Sequence, residues 1–122
     1  MLALLLAAAA LLPAPADFPK WWSGFQAAVV RRDAAAVAAS GVFPMDWENG
    51  AIRKIASAGE LKAHFDTYFT AEIRRIVATG TPERMSNGGY LLTWHARGNE
   101  YSLLFRPQGD SYVLEALSEG PP

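Results

Sequence analysis

Apolar residues fall at helical spacing in two stretches of this chain and at strand spacing in a third. In Ser57 to Thr70, SAGELKAHFDTYFT, the residues Leu61, Phe65, Tyr68 and Phe69 stand at i, i+4, i+7 and i+8, a single stripe carrying aromatic rings. Ser57 with Glu60 three residues on is a capping-box pair, which predicts one helix from there to Thr70. Residues 18 to 32 hold the other helical stripe: Phe18, Trp22, Phe25 and Val29, with Trp21 and Ala28 alongside and Gly24 within it. Asp33 is placed to cap a short second helix, Ala34 to Ser40, that stops at Gly41.

Alternation takes over in the last third. Tyr90 to Arg97, Tyr101 to Arg106 and Tyr112 to Leu117 read as three strands, joined by turns at Gly98-Asn99 and Pro107-Gln108-Gly109-Asp110. These turns would pair His95 with Ser102, Trp94 with Leu103, Phe105 with Tyr112 and Ser102 with Glu115. One face of the meander then carries Tyr90, Leu92, Trp94, Ala96, Tyr101, Leu103, Phe105, Tyr112, Leu114 and Ala116. The other carries Leu91, Thr93, His95, Arg97, Glu100, Ser102, Leu104, Arg106, Val113, Glu115 and Leu117. The first face must pack on the helices; the second meets water or a partner.

Between these blocks Val42 to Trp47 reads as a strand that Pro44 confines to an edge or a bulge, and Ala51 to Ile55 as its return after a turn at Glu48-Asn49-Gly50. Ala71 to Val77 fits helix and strand equally. The fold class is α+β: N-terminal helices on a curved antiparallel sheet, closed by a C-terminal three-stranded meander.

Residues 1–16 stand apart. Leu2 to Leu12 is an apolar run, Pro13 breaks it, and Ala14-Pro15-Ala16 is an A-x-A site, so a signal peptide removed before Asp17 is expected, leaving 17–122 as one domain. The run is short for a stable membrane anchor. The leader predicts export to a bacterial periplasm or the extracellular medium; the chain holds no cysteine, which excludes disulfides and thiolate metal sites and, in an exported protein, points to the periplasm. A net charge of -1 gives no basic surplus for nucleic acid.

The order helix, short helix, strand with Phe43-Pro44, capped helix ending Phe65-Asp66-Thr67-Tyr68-Phe69, then antiparallel meander resembles the nuclear-transport-factor-two-like superfamily (SnoaL-like and cystatin-like cones). The stretch from Trp22 to Pro44, with Phe25, Val29, Asp33, Val37 and Phe43-Pro44, looks like that of its exported members. The resemblance implies a cone of three helices packed into a curved sheet, and pairing through the sheet. Enzymes of that superfamily, such as ketosteroid isomerases and polyketide cyclases, use acids and tyrosines in the cone. Their motifs have no residue-by-residue match here, so no catalytic residue is carried over.

The chemistry on offer is sparse. No phosphate loop, zincin motif, nucleophile elbow or dinucleotide fingerprint occurs, and no cofactor or metal is expected. His95, Ser102 and Glu115 form a row on the mixed face, but serine stands in the middle, where a triad needs its base. His64 lies on the shoulder of the aromatic stripe beside Tyr68; with Asp46 these are the candidate pocket residues. Asp46-Trp47-Glu48 sets two carboxylates around an indole. Leu91, Thr93, Leu104, Val113 and Leu117 make the second sheet face half apolar, a candidate interface. The expected function is an exported, non-enzymatic module for a small-molecule ligand or an envelope protein, pairing with a second copy through its sheet. The alternatives are a small isomerase, cyclase or hydrolase using His64, Tyr68 and Asp46, and a structural partner in an envelope complex.

Overall fold

Pro19 sits in the first turn of a helix, where its missing N–H removes nothing, and α1 runs Phe18–Val30. The helix ends with Arg32 in the left-handed region (φ 56°), Arg32 N–H bonding Val29 O and Asp33 N–H bonding Ala28 O, a Schellman closure with arginine at the usual glycine position. Asp33 then caps α2, Ala34–Ala39, by accepting from Ala36 N–H at 3.1 Å. These positions come from a computed structural model, which describes residues 17–122; the expected leader over residues 1–16 lies outside the described residues.

Ser57 Oγ accepts from Glu60 N–H at 3.1 Å, as the capping box predicts. The expected single helix to Thr70 is broken, however, into α3, Ala58–Ala63, and α4, Phe65–Tyr68. His64 joins them at φ −127°, ψ 42°, outside helical geometry. The break re-aims the stripe without emptying it: Leu61, Phe65, Tyr68 and Phe69 are all buried. The ambiguous stretch after Thr70 is helical. Thr70 Oγ1 accepts from Ile73 N–H, starting α5, Ala71–Thr79, which buries Ile73 and Val77 four residues apart.

The strands are β1, Gly41–Asn49; β2, Ile52–Ile55; β3, Glu83–Arg84; β4, Tyr90–Ala96; β5, Asn99–Gln108; and β6, Ser111–Gly120. They form one six-stranded sheet in the order β2-β1-β6-β5-β4-β3. All neighbours are antiparallel except β1 and β6, which run parallel. The expected three-strand meander is therefore the middle of a larger mixed sheet. β1 is an interior strand, and Pro44 falls where its pairing with β6 shifts between Gly41 and Asp46, the bulge rather than the edge placement.

The register differs from the sequence expectation by a definite amount. The first turn is Arg97-Gly98, both at positive φ (52° and 78°), the two-residue hairpin geometry that matches strand twist. Ala96 thus pairs with Asn99, Trp94 with Tyr101 and Thr93 with Ser102. The shift is two residues, so each side chain keeps its face. The second turn is also two residues, Gly109-Asp110, with Gln108 opposite Ser111 and Phe105 opposite Leu114. Leu104 then pairs with Ala116, so Glu115 is an extra residue, a bulge. Beyond it the faces invert. Leu117, expected on the free face, is 1% exposed in the core, and Ala116, expected inside, is outside the core cluster.

One core joins all five helices to the inner sheet face, with Met45, Trp47, Ile55, Leu92, Leu103, Phe105 and Leu114 buried from the strands. Phe105 is its hub: the rings of Trp21, Trp22 and Phe25 present edges to it at 5.7, 5.3 and 5.6 Å.

Candidate interaction surface

Every helix contributes to the one core on the inner face, and the loop residues Met85 and Asn87 border the hollow at Leu104 on the opposite sheet face. A row of directly paired residues crosses it: Lys54, Asp46, Ala116, Leu104, Leu91 and Glu83, one from each strand. The ends are charged and the centre is apolar. Leu91, Leu104, Val42 and Ala116 are half-buried, and Pro44 is exposed. Two adjoining hollows of about 480 and 530 Å³ meet at Leu104, Arg106 and Glu115; Arg106 and Glu115 form an ion pair at 3.3 Å.

The expected interface residues divide. Leu91 and Leu104 line this face, and Thr93 is exposed on it, bonding Ser102 Oγ at 2.9 Å. Val113 is buried yet stands outside the helix-side core. Leu117 does not belong to the face, because the Glu115 bulge turns it inward.

Two of the three pocket candidates, His64 and Tyr68, meet at one oxygen of Glu60, and the third, Asp46, stands apart. The His64 side chain is 58% exposed, with Glu60 Oε1 at 4.0 Å. Tyr68 is buried, donates to Glu60 Oε1 at 3.2 Å, and has its hydroxyl pKa raised, first by burial and then by that carboxylate. Asp46 lies on the other side of the sheet, 70% exposed, with Lys54 at 3.3 Å. Glu48 spends a carboxylate oxygen on Glu119 N–H, and Trp47 between them is buried, donating to Tyr68 O. The His95–Ser102–Glu115 row is dispersed as well. His95 faces Glu100 at 3.3 Å, Ser102 bonds Thr93, and Glu115 holds Arg106.

A polar clasp at the β4–β5 turn went unpredicted. Arg97 donates twice to Glu72 of α5, each bond 3.0 Å, and lies over the Tyr101 ring at 5.1 Å. The guanidinium holds the Glu72 carboxyl below its usual range, against the opposing effect of burial. Tyr101 stacks on Trp94 at 5.6 Å and donates to Glu119, which lowers the Glu119 pKa; Arg53 adds to this at 3.6 Å. Among the described residues, Trp94 Nε1 is the one buried side-chain polar atom with no bonded partner. The only local signal for the clasp was a long cation at a turn position, beside a glycine.

Among the described residues no group of three His, Asp or Glu side chains is placed to hold a metal ion, and no helix is long and apolar enough to cross a membrane. Comparison with family models, with curated proteins and with solved structures finds no match.

Proposed function

We propose that this chain is an exported interaction domain that acts by binding, and that it pairs with a second copy through the outer face of its sheet. One observation carries the reading: the half-apolar row from Lys54 to Glu83 crosses all six strands on the face away from the helix-side core. A half-turn about an axis parallel to the strands, passing between Ala116 and Leu104, sets the lysine end of the row against the glutamate end of the other copy. Ala116 and Leu104 then meet at the axis, with Asp46, held by Lys54, opposite Leu91; the matched centre and ends are the self-complementarity a two-fold interface requires. The cone-like wrap implied by the superfamily resemblance belongs to the same reading, and packing of all helices on a single face supports it. Export rests on the apolar run and A-x-A site of residues 1–16. Asp46 lies across the sheet from His64 and Tyr68, which meet at Glu60, and this separation favours binding over catalysis.

Light scattering after size-exclusion chromatography tests the pairing. The expected result is a dimer at micromolar concentration that Leu104→Glu converts to a folded monomer. A wild-type chain that remains monomeric at high micromolar concentration overturns it.

A further inference from the structure

Arg106 of β5 and Glu115 of β6 form an ion pair at 3.3 Å across the two middle strands of the sheet. Phe105 and Leu114 beside them are fully buried in the core, so strand alternation turns Arg106 and Glu115 to the outer face. The pair lines both hollows of that face. Its side chains are 40% and 43% exposed, so the pair contributes little to the fold and keeps both charges within reach of a second molecule.

Two copies stacked sheet face to sheet face have their two-fold axis in the plane between them. An axis perpendicular to the strands lays each strand on its own copy. Run through the row from Lys54 to Glu83, it sets lysine on lysine, Asp46 on Asp46 and glutamate on glutamate. Run through the ion pair, it sets arginine on arginine and Glu115 on Glu115. Like charges brought together in this way oppose association. An axis parallel to the strands, between β5 and β6, exchanges these two strands instead. Arg106 then lies over the second copy's Glu115, and Glu115 over the second copy's Arg106.

We propose that Arg106 and Glu115 are the residues that select the partner and its orientation, closing with the second copy a ring of four alternating charges on the two-fold axis. The inference rests on the sheet-face pairing proposed above and adds to it the direction of the axis and the side chains that fix it. The face accepts another copy of this chain in one orientation. A surface without the matching charges leaves the pair stripped of water and uncompensated, which excludes it.

The double variant Arg106→Glu/Glu115→Arg tests this, because it keeps an ion pair within each chain and reverses what each chain presents to the other. Nitrogen-15-labelled wild type is mixed with the unlabelled double variant, left to exchange subunits at micromolar concentration, and weighed by native mass spectrometry. The expected result is that each chain pairs with itself, while mixed dimers fall at least tenfold below the share that random exchange gives. The single variants Arg106→Glu and Glu115→Arg, shown by circular dichroism to be folded, should each dimerise at least tenfold more weakly than wild type. Mixed in equal amounts they should recover the dimer, since each then meets opposite charges. Random exchange between a dimeric wild type and the double variant overturns this inference and leaves the sheet-face pairing standing. Folded single variants that dimerise as tightly as wild type do the same. A wild-type chain that stays monomeric overturns both.

Discussion

At the scale of single residues, two arginines occupy backbone conformations that glycine would adopt without strain. Arg32 (φ 56°) pairs with Asp66 and Arg97 (φ 52°) with Glu72, so each strained turn is tied by its own side chain to another helix. Replacing Arg97 by glycine relieves the turn and removes the tie. The net effect on stability should be small, within about 1 kcal/mol, whereas Arg97→Ala keeps the strain, loses the tie and should be the less stable of the two in urea melts. The acid side of the stability profile follows from the same clasp. Glu72 and Glu119 titrate below the ordinary glutamate value of about 4.3, so their contribution is complete above that pH and is lost as pH falls through the lower folded values. Thermal melts of Glu72→Gln should therefore match wild type more closely at low pH than at neutral pH. Ser57→Ala removes a cap bond and should cost about 1 kcal/mol, read from the same urea melts.

At the scale of elements, helix stripes and strand alternation were legible, and turn geometry was not. The capping serine, the buried stripe of Leu61, Phe65, Tyr68 and Phe69, and the inward set Leu92, Trp94, Leu103, Phe105 and Leu114 could all be read from spacing. The break at His64 could not, because no proline or glycine marks it and the stripe stays buried on both sides. The turn at Arg97-Gly98 was misplaced by one residue, since Gly98-Asn99 is an equally good local signal. That slip moved the register by two and spared the faces. The bulge at Glu115 did alter the faces, and nothing in the alternation of Val113, Leu114, Glu115, Ala116 and Leu117 announces it. The consequence is measurable. Leu117→Ala should cost about 2–5 kcal/mol in urea melts, as for other filled core sites. Leu104→Ala on the outer face should cost less than 1 kcal/mol in the monomer, about the scale of a partly exposed position.

At the scale of the whole molecule, the sheet is secured from its middle. β5 and β6 share the longest pairing, and their core residues Leu103, Phe105 and Leu114 are fully buried, while β3 is two exposed residues at an edge. Amide hydrogen exchange should accordingly be slowest in β5 and β6 and fastest in β3. The candidate surface was partly legible at this scale too. Alternation alone separated Leu91, Thr93 and Leu104 from the core. The contribution of Val42, Pro44 and Asp46 depends on β1 lying beside β6, a long-range parallel pairing that no local pattern encodes.

That parallel contact sets an order of events. Gly41 and Trp47 find their neighbours only at Leu114 and Leu117, so the hairpin of β1 and β2 has no docking strand until the ribosome has synthesised nearly all of the described chain. A growing polypeptide of this sequence cannot close its sheet early: the six strands complete their order only once β6 has emerged.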